Sequence, residues 1–249
     1  MVMRLDQHLL ELGYARSRSQ AQALIKAGNV SIDGTIVKKP SHPCPPNLAI
    51  AVSSNEITRF VSRGGLKLQG ALEHTNVNPT GFTVLDVGQS TGGFTDCLLQ
   101  AGAAKVVGID VGRDQLVQTL RDDERVVFYE GINARELPIE QLLSETPNEL
   151  GFDLAVMDVS FISQTLILSS LVPLLKPGAL LLSLVKPQFE LQPQHIGKNG
   201  LVKTSDDYPL VEAKIRAALN AINMKVLDYY ASAIEGGDGN QEFFVFAIK

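Results

Sequence analysis

The sequence predicts an α/β protein: a doubly wound parallel sheet preceded by a small α+β domain. Three observations lead there. The stretch Val84-Leu-Asp-Val-Gly-Gln-Ser-Thr-Gly-Gly-Phe-Thr-Asp96 reads as a buried strand, a glycine turn and the start of a helix. From residue 83 onward, short apolar runs alternate with helical segments. Residues 4–52 instead show two short helical periods followed by an Asp-Gly hairpin signal.

At the N-terminal end, Leu5, Leu9 and Leu12, then Ala21, Leu24 and Ile25, recur at helical spacing. Gly13 splits them into two helices, and Arg16, Ser17, Arg18 and Ser19 open the second. Val30 to Val37 alternates around Asp33-Gly34, which predicts a hairpin. Pro40, Pro43, Pro45 and Pro46 predict a rigid, irregular connector, and Leu48–Val52 one more short strand. The expected division is a compact domain at 1–58, a linker and pre-strand helix at 59–82, and the sheet domain at 83–249.

Strands are expected at 83–87, 105–110, 126–130, 153–158, 179–185, 225–231 and 242–248, with helices between them. Leu166 to Val185 is the most apolar region, but Pro173, Lys176, Pro177 and Gly178 interrupt it. It reads as a helix, a Lys-Pro-Gly turn and a buried strand rather than a bilayer span. Segment 188–204 has turn composition and is expected to loop over the site. Cys44 and Cys97 have neither metal spacing nor a disulfide pattern. They read as two isolated reduced thiols in a cytoplasmic protein, and no cleavable signal opens the chain.

A chain of 249 residues, 45% hydrophobic and 20% charged, supports one full-sized core and a small appendage. The net charge of −5 is unevenly spread. Residues 1–67 hold nine Lys/Arg against four Asp/Glu, and the remainder thirteen against twenty-three. A basic N-terminal module that meets a polyanion is one reading of this asymmetry; a solvated face is the other.

The glycine turn suggests a ligand, because Gly88, Gly92 and Gly93 let backbone approach it closely. Asp110 ends the next strand 22 residues past Gly88, a spacing at which a carboxylate reaches a ribose diol. The form D-x-G-x-x-x-G-G-F, with Asp86 at the strand end, suits S-adenosylmethionine better than NAD. The loop would hold an amino-acid moiety instead of a pyrophosphate. Four ionisable residues fall where strand ends converge: Asp158, Lys186, Glu242 and, just before the first sheet strand, Lys67. Any one alone is readable as a solvated or capping charge. Two lysines and two carboxylates together could neutralise one another in a buried site.

Arg4-Leu-Asp6, Leu9, Ala15-Arg-Ser-Arg-Ser19, Ala23 to Ile25, Gly28-Asn-Val-Ser-Ile-Asp-Gly34 and Lys38-Lys39 together resemble the S-four-type RNA-binding module. The resemblance implies that Arg16, Arg18, Lys38 and Lys39 meet RNA, mainly at phosphates. Arg4 and Arg63 join them as candidates.

Ser62-Arg-Gly-Gly-Leu-Lys67, the glycine turn, Asp110-Val-Gly112, Asn133-Ala-Arg135, Met157-Asp-Val-Ser-Phe-Ile162, Val185-Lys-Pro-Gln-Phe-Glu190 and Gly239-Asn-Gln-Glu-Phe-Phe244 resemble the TlyA family. That family is the hemolysin-A-like branch of FtsJ-like RNA methyltransferases. The resemblance implies a Rossmann-like S-adenosylmethionine-dependent methyltransferase sheet behind a small α+β RNA-binding domain. It implies 2′-O-methylation of ribose, in cytidines of ribosomal RNA, by a cytoplasmic protein whose partners are ribosomal RNA or ribosomal subunits, with no metal and no membrane. The family's Lys-Asp-Lys-Glu tetrad falls on Lys67, Asp158, Lys186 and Glu242.

Its cofactor residues fall on Asp86, Gly88, Ser90, Gly92, Gly93, Phe94, Asp110, Val111 and Asn133, while Ser160 and Phe161 flank the target site. Gln89 departs from the usual alanine, which is expected to leave the turn intact and alter contacts near the cofactor. The chemistry fits, since a ribose hydroxyl must lose its proton as it attacks an electrophilic methyl. An ordinary lysine, with a pKa of about 10.4, is protonated at neutral pH, and burial favours its neutral form. Lys186 is the expected base, Asp158 its orienting partner, and Lys67 and Glu242 the groups that position the ribose. Three other readings stay open: a methyltransferase on another substrate, a cytolysin, and a non-catalytic RNA-binding assembly factor. Against the first, the fourth strand ends in Asp158-Val-Ser-Phe161 and not Asn/Asp-Pro-Pro-aromatic, the frequent base-nitrogen pattern.

Overall fold

The computed structural model describes residues 3–15, 17–45, 48–53, 59–237 and 239–249; Arg16 and linker positions 54–58 lie outside them. The N-terminal domain opens with β1 (Met3–Arg4), α1 (Leu5–Glu11) and α2 (Arg18–Lys26). Leu5, Leu9, Ala21, Leu24 and Ile25 are fully buried together, as their helical spacing requires. Ser17 caps α2 by accepting the Gln20 N–H at 3.1 Å, a bond worth about 1 kcal/mol. β2 (Val30–Ile32) and β3 (Thr35–Ile36) form the hairpin, with Asp33 and Gly34 both at positive φ. β5 (Ile50–Val52) pairs with the other edge of β2. The proline stretch is not wholly irregular, because β4 (Pro43–Cys44) pairs with β1. Proline is tolerated in so short a pairing, where few ladder bonds are at stake.

Residues 60 and 61 join the two domains. Gln20 Nε2 donates to the Phe60 carbonyl at 2.7 Å, and Ser17 Oγ donates to the Val61 carbonyl. The Val61 N–H is accepted by Asp96 at 2.8 Å. Asp96 lies on α4 (Gly93–Gln100), the helix that follows the glycine turn, so the start of α2 and the glycine turn meet across two linker residues.

The remaining elements are α3 (Gly64–Thr75), β6 (Thr83–Val87), β7 (Lys105–Asp110), α5 (Gln118–Arg121), β8 (Val126–Glu130), α6 (Ile139–Leu143), β9 (Phe152–Met157), α7 (Leu168–Leu171), β10 (Leu175–Val185), α8 (Pro187–Glu190), α9 (Tyr208–Ala221), β11 (Lys225–Ala231) and β12 (Phe243–Ile248). The sheet order is β11-β12-β10-β9-β6-β7-β8. All pairings are parallel except those of β12, which runs against both its neighbours. Each central strand is buried on both faces. Val84, Leu154, Val156, Leu182 and Leu184 point to one layer, and Leu85, Val87, Ala155, Met157 and Leu181 to the other. The expected Lys-Pro-Gly turn lies inside β10 as a bulge. The pairing jumps from Leu175–Phe152 to Leu180–Leu154, so the extra residues bow out while the strand continues.

Candidate active site

Strand order reverses between β6 and β9, and the ligand crevice of such a sheet opens there, at the carboxyl ends. Gly88 sits at that point with φ +86°, and a Cβ on it would overlap the carbonyl oxygen of Asp158. Glycine is therefore required twice, for its backbone conformation and for its close approach. A Cβ on Gly93 would overlap Ser62 Oγ. Asp110 shapes the turn from the next strand, accepting the Ser90 N–H and the Gly112 N–H, each at 2.7 Å.

Two cavities meet at Gly88 and Ser160. The first, about 250 Å³, is lined by Ser62, Arg63, Lys67, Gln89, Ser90, Thr91, Gly93, Phe94, Asp158 and Lys186 among others. The second, about 340 Å³, is lined by Ile109, Asp110, Val111, Ile132, Asn133, Ala134, Arg135 and Ile162 among others. A third, about 350 Å³, opens beyond the lysines between Phe161, Phe189, Asn199, Gly200 and Glu242. Segment 188–204 thus forms part of the rim, as its composition predicts. The sequence reading missed the apolar walls Ile132, Ala134 and Ile162. Apolar residues carry no local sign that distinguishes a ligand wall from core.

The four candidate catalytic residues converge, brought there from α3, the end of β9, the end of β10 and the start of β12. Val185 lies opposite Phe243, so antiparallel β12 begins where its parallel neighbours end, and Glu242 falls there. Lys67 Nζ donates to Glu242 Oε2 in a buried ion pair. Lys186 Nζ lies 2.5 Å from Asp158 Oδ1 and donates to Ser160 Oγ at 2.8 Å. Burial raises the Glu242 carboxyl above its ordinary value, with Lys67 opposing it. Each charge faces an opposite one, which is the arrangement buried ions need.

The structure does not bring two of the predicted cofactor residues to a cavity wall. Gly92 packs instead against Leu116 and Leu120 at the start of α4. Asp86 is fully buried beneath the turn, where it accepts Thr95 Oγ1 at 2.7 Å. Gln89 turns its amide inward, donating to Thr95 Oγ1 at 2.9 Å and lying over Gly108, where any Cβ would overlap it. Gln89 nevertheless also lines the first cavity.

Burial, with the charges of Asp158 and Asp110, pushes the Asp86 carboxyl up to about 7 against the pull of Thr95. Its ionisation is unfavourable in the fold and free in the unfolded chain, so stability falls as pH rises from about 4 to about 7. Asp86→Asn lacks that titration. Its stability relative to wild type is expected to rise across the same window, by as much as about 4 kcal/mol. Urea unfolding of both proteins at pH 4.5 and pH 8 checks this, and parallel pH dependence would contradict it.

The candidate RNA-contacting residues differ in their freedom. Arg4 forms a two-bond pair with buried Asp6 at 2.9 and 3.0 Å, and Arg18 meets the same carboxylate at 3.1 Å. Arg4 and the other donors hold Asp6 well below the usual carboxylate range. Both arginines keep an exposed portion but also brace the domain. Lys38 and Lys39 are exposed, and Lys38 crosses over Gly28. Arg63 borders the first cavity and donates to the Glu235 carbonyl at 3.1 Å. Arg16 lies outside the described residues.

Comparison with known proteins matches an FtsJ-like methyltransferase model over residues 60–249 and an S4 domain model over residues 3–50. The 16S/23S rRNA (cytidine-2'-O)-methyltransferase TlyA of Mycobacterium tuberculosis is 40% identical, over 98% of this chain and 88% of its own. Hemolysin A of Brachyspira hyodysenteriae is 38% identical, over 99% of this chain and 100% of its own. The solved structure named "Putative hemolysin from Streptococcus thermophilus", 36% identical, superposes with a TM-score of 0.78, covering 100% of this chain and 88% of that one.

Proposed function

The chain belongs to the FtsJ-like methyltransferase family, and on that footing we propose that it methylates the 2′-hydroxyl of a ribose in ribosomal RNA, a cytidine by analogy with the M. tuberculosis relative. The observation that carries the proposal is the convergence of two Lys–carboxylate pairs, one buried and one half-buried, where a cavity behind the glycine turn meets one open to the rim.

The residues present fit S-adenosylmethionine. Gly88 and Gly93 leave a cradle that a Cβ would fill, and Asp110, Val111 and Asn133 line the adjoining cavity. When bound, the cofactor supplies an electrophilic methyl group on a sulfonium. The protein supplies alignment and proton removal. Lys186 Nζ takes the proton of the attacking 2′-hydroxyl. The ammonium paired with Asp158 must first give up a proton of its own; the amine then keeps an N–H for Ser160 and has a lone pair for the hydroxyl proton. Lys67, held by Glu242, positions the ribose from the opposite wall. Alignment of nucleophile with the methyl group supplies much of the rate.

The N-terminal domain supplies the RNA grip, and ribosomal subunits as partners fit a cytoplasmic protein. Lys38→Gln/Lys39→Gln is expected to weaken RNA binding evenly across sequences and to lower the salt slope by about 2. Fluorescence anisotropy from 50 to 300 mM salt reads this, and an unchanged slope removes both lysines from the interface. Arg4 and Arg18 are poorer probes, since removing either also unbalances buried Asp6.

The test of function is incubation with ribosomal subunits lacking the modification and methyl-labelled S-adenosylmethionine, followed by nucleoside mass spectrometry. The expected product is 2′-O-methylcytidine. Cofactor binding without label in RNA would overturn the ribosomal reading. Among the described residues no helix is long and apolar enough to cross a membrane.

A further inference from the structure

The turn after Lys186 has a part that the proposed mechanism leaves unused. The β9–β10 ladder ends at Met157 paired with Ser183. Beyond it, the segments carrying Asp158 and Lys186 leave the sheet, and no ladder bond holds one to the other. Glu190, four residues past Lys186 and almost fully buried, bridges them. Its Oε2 accepts Ser163 Oγ at 2.5 Å and its Oε1 accepts the Gln164 N–H at 2.8 Å. Lys214 of α9 donates to Oε2 at 2.7 Å and to the Glu190 carbonyl at 2.9 Å. Gln164 is in turn anchored to β10, where Ser183 Oγ donates to its Oε1 at 2.6 Å.

The segment so held contains a strained residue. Phe161 has φ +65°, is 91% exposed and meets Phe189 with ring centroids 5.2 Å apart. Left-handed backbone at such a side chain costs about 1–2 kcal/mol and persists only where surroundings enforce it. The two bonds to Glu190 anchor the same loop from the buried side, two and three residues further along.

We propose that Glu190 is a positioning residue that clamps the Lys186 turn onto the Asp158 loop, keeping Lys186 Nζ against Asp158 and Ser160. Lys214 balances its charge, so the clamp orders the turn without competing with Asp158 for Lys186. The proposal rests on the methyl-transfer reading for its kinetic consequence and on geometry alone for its dynamic one.

Glu190→Gln keeps the shape of the side chain and replaces one acceptor oxygen with a donor facing Ser163 and Lys214. Hydrogen exchange is expected to quicken in 158–164 and 186–191 together and nowhere else. The kcat for methyl transfer is expected to fall about 10- to 100-fold, as for a small misplacement of a reacting group. The S-adenosylmethionine Kd is expected to stay within about twofold, since no cofactor-side contact changes. A merely structural role would instead lower thermal stability, cofactor affinity and kcat in parallel.

Unchanged exchange in 158–164, or unchanged kcat in an active enzyme, overturns the proposal. If wild type methylates none of the RNAs offered, the functional reading fails while the exchange experiment still decides on the clamp. Should Glu190→Gln not fold, Lys214→Met removes two bonds to Glu190, both made by a side chain 40% exposed. It is expected to quicken exchange in the same two segments, and unchanged exchange there overturns the proposal equally.

Discussion

Lys186→Ala is expected to cut methyl transfer by about 10²- to 10⁴-fold, the range seen when a general base is removed. The side chain is only 12% exposed and lines both the cavity behind the glycine turn and the one open to the rim. Alanine also strips Asp158 of its counter-ion, which mixes two effects. Lys186→Arg separates them. A guanidinium keeps the positive charge beside Asp158 but cannot give up its proton near neutral pH. Both variants are expected to bind cofactor and to be inactive in single-turnover assays with ribosomal subunits. Arginine activity above about a tenth of wild type would show that charge, and not proton removal, is what Lys186 contributes.

Gly88→Ala is expected to abolish cofactor binding and to destabilise the fold by several kcal/mol. Two costs add. An alanine at φ +86° pays about 1–2 kcal/mol of backbone strain. Its Cβ also overlaps the Asp158 carbonyl, a backbone atom that cannot swing aside as a flexible side chain would. Relief requires β6 and β9 to separate at the point where Asp158 leaves the sheet. The damage therefore reaches the Lys186 pair as well as the turn. Gly81→Ala is the control, because Gly81 has φ +78° but nothing within 4 Å of its Cβ. It pays the strain alone. Thermal unfolding and calorimetric titration with S-adenosylmethionine compare the two. Equal losses would show that the overlap relaxes at little cost.

The site was legible in proportion to how local its signals are. Gly88, the strand before it and the carboxylate at the end of β7 lie within one strand–turn–helix–strand unit, whose sterics are written in adjacent residues. Asp86 was readable as a member of that unit but not by role. A strand residue faces the crevice or the core according to the pleat and the turn above it, and here it faces the core. The inward turn of Gln89 depends on Gly108 of a different strand, which leaves the space that its amide fills. The Lys-Pro-Gly segment reads locally as a turn, but pairing on both sides draws it into a strand as a bulge.

By itself the sequence determined the alternation of strands and helices, the glycine turn, the hairpin at Asp33-Gly34 and the basic character of the N-terminal segment. These follow from side-chain periodicity and backbone sterics over a few residues. Only the tertiary structure decided which charges meet. Lys67 and Glu242 are 175 positions apart. They pair because β12 enters the sheet antiparallel beside β10 and so begins where the other strands end. The Glu190 clamp likewise joins α8, α9 and the loop after β9, three segments that become neighbours only when the sheet is assembled. Burial then gives these pairings their force, since a carboxylate or an ammonium removed from water must find its partner across the fold.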